Sequence, residues 1–179
     1  MSTLPGRRVH RVVTTFKILA AHAPPRVIAA SLRSVCNGWV TTRRFPRAGI
    51  RRCILGCPAG EDSVEHYAGC RCFHRLCQRH LGLSMPPRPQ CLEDFLGVAP
   101  YLPALPAVFP AGEVRAACTV LRAIGVFALY RAHGSARHGL WQPLAVQEAF
   151  PTFVREAAQS HPKALSFLAL ARRRPRGAQ

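Results

Sequence analysis

The stretch CILGCPAGEDSVEHYAGC, residues 53 to 70, decides how the rest of the chain is read. It places Cys53, Cys57, His66 and Cys70 in the spacing Cys-x3-Cys-x8-His-x3-Cys. Cys53 and Cys57 flank Ile54, Leu55 and Gly56, a short turn whose glycine lets the backbone fold back so that two thiolates converge on one ion. Pro58 and Gly60 then turn the chain toward a helix. Asp62 is its expected N-cap, with Glu65 three residues on in a capping-box arrangement. On that helix His66 and Cys70 are four residues apart and share one face. Two ligands from a turn and two from a helix make a closed tetrahedral set, the structural kind of zinc site, with no open position for water.

Other donors in the cluster compete. Cys70 and His74 are also four apart, so Cys53, Cys57, Cys70 and His74 outline a second Cys-and-His finger, and His74 is the rival fourth ligand. Cys77 lies about 10.5 Å beyond Cys70 along a helix and cannot share its ion. Cys72 sits nearly opposite Cys70 around the axis and is expected as a packed or exposed thiol. Cys70 with Cys72 as a redox pair, its thiol lowered by Arg71 and Arg75, is the alternative. Cys36, Cys91 and Cys118 stand alone and are expected to be small buried hydrophobes.

Outward from the cluster, the expected structure is helical. Val9 to Ala21 and Arg26 to Val40 read as helices, the second starting after Pro24 and Pro25 with Val27, Ala30, Leu32, Val35 and Trp39 on one apolar face. A basic loop with Arg43, Arg44, Arg47, Arg51 and Arg52 leads into Cys53. Seven prolines between Met85 and Pro110 leave room only for a short helix at Leu92 to Leu96. Beyond them, Gly112 to His133, Leu144 to Ser160 (with a break at Pro151) and His161 to Arg172 read as helices. His133 and His138, with Arg131 and Arg137, read as a solvated helix end. The expected fold is mainly α: a small irregular helical domain with a Cys/His zinc knuckle, then a Pro-rich linker and C-terminal helices. Its segments are a basic N-terminal helix at 1–25, a zinc-binding domain at 26–84, the linker at 85–111, a helical region at 112–171 and a basic tail at 172–179.

Composition bounds the function. The chain of 179 residues carries 25 Lys plus Arg against 8 Asp plus Glu, a net charge of +17, and Lys17 and Lys163 are its only lysines. Guanidinium forks match phosphate oxygens, and neutralised phosphates release counterions, so nucleic acid (RNA or DNA) is the natural partner. The plainer reading is arginine as a default solubilising charge from GC-rich coding. Clustered cysteines without an N-terminal apolar signal region point to a reducing compartment, nuclear or cytoplasmic, where Cys and His together mean metal more often than disulfide. The acid-free, arginine-containing Met1 to His22 gives organelle import as the alternative. Cys118 to Leu129, the most apolar later stretch, is interrupted by Arg122 and too short to span a bilayer, so no membrane partner is expected. Glycine-rich phosphate loops and nucleophile motifs are missing from the sequence. With eight acids in total, paired only at Glu61/Asp62 and Glu93/Asp94, a two-metal catalytic site is hard to assemble.

NGWVTTRRF at 37 to 45, followed by residues 53 to 70, resembles the zinc-binding domain that follows the reverse transcriptase in LINE-type, non-LTR retroelements. The resemblance implies Cys53, Cys57, His66 and Cys70 as ligands, favouring His66 over His74, with Glu61, Asp62 and Glu65 as an acidic helix start. It also implies contact with template RNA or target DNA. Family members commonly have two residues between the first cysteines; this chain has three. Nothing in it looks like the polymerase's paired-aspartate strand, so the chain resembles a detached C-terminal piece of such an element, either an independent small protein or a remnant reading frame. The expected function is a non-enzymatic, zinc-stabilised nucleic-acid-binding module, with Arg43, Arg44, Arg51, Arg52, Arg71 and Arg75 contacting phosphates. The alternative is a structural or protein-interaction fragment in which zinc only staples the fold.

Overall fold

In the computed structural model, residues 5–45, 51–58, 60–83, 95, 109–138 and 142–172 are described. They form a mainly helical structure in which proline opens helices more than it breaks them. Helix α1 runs Pro5–His22 and α2 Pro25–Val35. Two short helices follow, α3 at Val64–Gly69 and α4 at Arg71–Leu81. A 3-10 turn, Ala111–Glu113, leads into the long α5, Val114–His138, and the chain ends with α6, Pro143–Gln159, and α7, Pro162–Ala171. Prolines 25, 143 and 162 occupy first turns, where the missing N–H has no helical acceptor to lose and the fixed φ suits the helix. A proline-rich chain is thereby compatible with helix. Among the described residues there is no strand, only an isolated antiparallel bridge between Arg52 and Glu61.

α5 is the axis of the fold. Ala117, Val120, Leu121, Ile124, Ala128, Leu129 and Ala132 are all buried along it, and α1, α2, α4, α6 and α7 pack against it. One hydrophobic cluster holds Leu19 and Val27 from the first two helices, Ile54, Tyr67 and Phe73 around the cysteines, and Phe150 and Phe167 from the last two. The Cys/His segment therefore rests on the C-terminal helices. No helix among the described residues is long and apolar enough to cross a membrane.

α2 and α6 depart from expectation at a turn signal and at a proline. α2 stops at Val35 because Asn37 takes a left-handed φ of 51°, which asparagine tolerates, and the Gly38 N–H then donates to the Arg33 carbonyl. Trp39 is thus beyond the helix, yet fully buried: it folds back so that its Nε1 donates to Ser34 Oγ at 2.9 Å, with its ring against Tyr130, His133 and Tyr67. α6, by contrast, continues through Pro151. An interior proline costs about 3 kcal/mol. Phe150, Val154, Ala157 and Ala158 are buried on either side of it, and at roughly 1.5–3 kcal/mol per large side chain their burial exceeds that cost. Of the short helix expected at Leu92 to Leu96, only Phe95 is described; it is helical and buried against Trp39 and Phe73, and the rest lies outside the described residues.

Candidate metal centre

Residues 51 to 70 fold as a knuckle closed by local backbone bonds. The Gly56 N–H donates to the Cys53 carbonyl and the Gly60 N–H to the Cys57 carbonyl, while the Cys53 N–H returns to Gly60 at 2.8 Å. Gly56, at φ +81°, makes the reversal. Ser63, not Asp62, caps α3: its Oγ accepts from the His66 N–H at 3.0 Å. The helix also ends earlier than the sequence suggests. Cys70 is extended (φ −68°, ψ 116°) and joins α3 to α4, so it shares no helical face with His66; a change of chain direction brings the two together.

The result is a four-donor cluster. One ligand atom each from Cys53, Cys57, His66 and Cys70 lies within 4.8 Å of all the others, an arrangement that could hold a metal ion. Cys53 Sγ is 3.9 Å and Cys57 Sγ 3.2 Å from Cys70 Sγ. The hydrogen bond from Cys70, aided by His66 and by the amides of Leu55 and Cys57, outweighs burial and draws the Cys53 thiol well below its ordinary range. The same pairing, with burial, pushes Cys70 up. Sharing one proton lets one sulfur ionise at the other's expense; a cation among them would stabilise both thiolates. The His66 Nε2 is buried and has no hydrogen-bond partner. Its ring lies against Gly60, where a Cβ would come within 2.8 Å of Nδ1 and nearer still to Nε2 and Cε1.

His74 is not of this set. It is buried on α4 with its Nε2 2.8 Å from the Ala68 carbonyl, to which it donates, tying α4 back to the end of α3. Cys77 is buried away from the cluster, beside Gly125 of α5. Cys72, expected opposite Cys70, lies half-buried with its sulfur 3.5 Å from Cys57 Sγ, because α4 begins only at Arg71 and helical spacing does not run through Cys70. Cys36 is exposed rather than buried, Cys118 is buried, and Cys91 lies outside the described residues.

Behind the knuckle lies a polar network that the sequence reading missed. Asp62 is fully buried; its Oδ1 accepts from Tyr67 Oη at 2.6 Å and from His133 Nε2 at 3.0 Å, and its Oδ2 from the Thr42 N–H at 2.7 Å. Burial pushes this carboxyl up, but the hydrogen bonds from His133 and Tyr67, with the charge of His133, outweigh it and hold the group below the usual carboxylate range. His133, expected at a solvated helix end, is 3% exposed. Its helix continues to His138, which leaves His133 in the buried stripe facing the knuckle. Only the Asp-Ser pair at 62 and 63 hinted at a special helix start; nothing local links Asp62 to a residue 71 positions away.

Of the six arginines expected at phosphates, Arg43, Arg44, Arg51, Arg52, Arg71 and Arg75 are all exposed. Backbone bonds hold three of them beside residues 61 and 62: the Arg43 N–H donates to the Asp62 carbonyl, the Asp62 N–H to the Arg51 carbonyl, and Arg52 bridges Glu61. Arg43 also pairs with Glu61 at 3.3 Å, both side chains more than half exposed, and such a pair contributes about 0–1 kcal/mol. The Arg44 guanidinium stacks on its neighbour Phe45 at 5.4 Å. Arg71 and Arg75 are four apart on α4. Other arginines serve packing: Arg26 donates to the Glu156 carbonyl and to Ser160 Oγ beyond the end of α6, Arg172 donates to the His80 carbonyl at 3.1 Å, and Arg33 and Arg131 lie over the rings of Tyr130 and Phe153. No protein-family model, no curated protein and no solved structure matches the chain.

Proposed function

We propose that the chain is a non-enzymatic, zinc-stabilised nucleic-acid-binding module. The observation that carries the metal half is the buried, unpartnered Nε2 of His66 in a residue grouped with three sulfurs. An unpaired buried polar atom costs roughly 1–3 kcal/mol, and a cation bound through that nitrogen would remove the cost. Zinc suits three thiolates and an imidazole: bonds of about 2.3 Å in a tetrahedron put sulfurs about 3.8 Å apart, against 3.9 and 3.2 Å here. When bound, zinc supplies a crosslink between the turn and the two short helices, with no open position for chemistry. The chain's own residues do the rest: Asp62 ties the knuckle to Thr42 and to α5, which presents Arg43, Arg51 and Arg52 on one braced edge.

The nucleic-acid half rests on that edge, on the net charge of +17, and on the likeness of residues 37–45 and 53–70 to the zinc-binding domain of LINE-type retroelements. Phosphate contacts carry no base information, so binding is weakly specific and steeply salt-dependent. The test is a salt titration of binding to single-stranded RNA and duplex DNA, with Arg51→Ala/Arg52→Ala beside the parent. Loss of two phosphate contacts reduces the log–log slope by about 1.4 on single strands and about 1.8 on duplex; an unchanged slope places the surface elsewhere. The second reading, a structural or protein-interaction fragment, draws support from the arginines spent on helix ends and aromatic faces. It requires that no salt-dependent binding be found.

A further inference from the structure

The four ligands are not the only sulfurs in reach of one another. Cys53 and Cys70 are 1% exposed, whereas Cys57 and Cys72 are both half-buried, and their sulfurs lie 3.5 Å apart. Cys57 is thus the ligand sulfur on the open side of the cluster, and beside it stands a thiol that the four-donor set does not use. The pair comes from separate segments, the turn after Cys53 and the first turn of α4, so a bond between them would pull a donor out of the knuckle.

Resting on the zinc reading above, we infer that Cys57 and Cys72 make the site a peroxide-sensitive latch: their oxidation to a disulfide withdraws Cys57 from the donor set and releases the ion. The Cys57 thiolate attacks the peroxide O–O bond, forming Cys57–SOH and expelling hydroxide, which takes a proton from solvent. The Cys72 thiol then attacks the Cys57 sulfur. The S–S bond forms as the S–O bond breaks, and the Cys72 proton leaves with the departing hydroxide as water. Two sulfurs each give up one electron, and one peroxide is reduced to two waters. The site keeps three donors, of which Cys53 and Cys70 remain buried, so reduction by a dithiol restores the fourth ligand in place.

The experiment uses the full chain in a Cys36→Ser background, which removes an exposed competing thiol. Zinc-loaded protein is treated with hydrogen peroxide, release is followed with a chromogenic zinc indicator, and disulfides are mapped by peptide mass spectrometry. The expected result is zinc release in step with loss of two hydrogens from a Cys57–Cys72 peptide pair, reversed by dithiothreitol. Cys72→Ser should load zinc as the parent does, lose the disulfide, and release zinc more slowly. A disulfide between Cys57 and Cys70 or Cys53 and Cys70, or release from Cys72→Ser at the parent rate, overturns the latch while leaving the zinc site standing. A parent chain that takes up no zinc removes both, and that failure shows at the loading step, before peroxide is added.

Discussion

Gly60→Ala tests the site through a residue that supplies no donor. A Cβ at this position would sit 2.8 Å from His66 Nδ1 and nearer to Nε2, where ordinary contact begins at 3.4 Å. The imidazole must therefore retreat by at least that difference, about three times the roughly 0.2 Å over which metal–ligand distances are allowed to vary. Gly60 is not among the residues with positive φ, so alanine costs no backbone strain there. The expected consequence is a loss of zinc affinity of about 10–100-fold, or about 1.4–2.7 kcal/mol, read by competition against a chelator of known affinity. The effect should vanish in a His66→Ala background, because the methyl then has no ring to displace; the coupling in the double-mutant cycle equals the whole single-mutant effect. Parent-like affinity in Gly60→Ala, or an equal loss with and without His66, would refute the claim that His66 binds the ion beside this glycine.

Four further outcomes follow from the same geometry. His66→Ala binds zinc more weakly than the parent, while His74→Ala keeps parent affinity and gives up about 1–2 kcal/mol of urea stability with the lost bond to the Ala68 carbonyl; the opposite pattern in zinc affinity would exchange the two histidines. Chelation should reduce the helical circular dichroism of α3 and α4 and leave most of the α5–α7 signal, since Phe73 and Cys77 anchor only the far side of the knuckle. Asp62→Ala should cost roughly 3 kcal/mol or more, because it leaves the buried donors of Tyr67, His133 and Thr42 without their acceptor, at about 1–3 kcal/mol each, against no more than about 1 kcal/mol for Arg43→Ala at the exposed pair with Glu61. Since the folded Asp62 carboxyl lies below its unfolded value of about 3.9, its contribution is complete above that pH and declines as pH falls through the folded value. The stability difference between parent and Asp62→Asn, from urea midpoints, should be flat above about pH 4 and shrink below it; a difference that grows on acidification would reverse the assignment.

The site was more legible than its support. Cys53, Cys57, His66 and Cys70 fall within 18 consecutive residues, so local turns alone can bring them together, and residue type and spacing carry that information. The mechanism of convergence was less legible: a continuous helix from 62 would put His66 and Cys70 on one face, yet the chain breaks at Cys70 and rebuilds the proximity by a corner. The same break places Cys72 beside Cys57, which helical phase alone forbids. Asn37-Gly38 is a turn signal that an apolar stripe ending in Trp39 obscured, whereas Pro151 is a stop signal that burial of Phe150 and Val154 overrides.

Residues 53 to 70 by themselves determine which four side chains can meet, and the apolar periodicity determines that the chain is mainly helical. Both are short-range properties, set by backbone geometry over a few turns. Only the tertiary structure decides that Asp62 is a buried hub rather than a cap, that His133 faces it, and that Trp39 lies between them and α2. A carboxylate and an imidazole 71 residues apart have no reason in the local sequence to be partners. They become so because packing α5 under the knuckle takes both out of water, where each must be hydrogen-bonded.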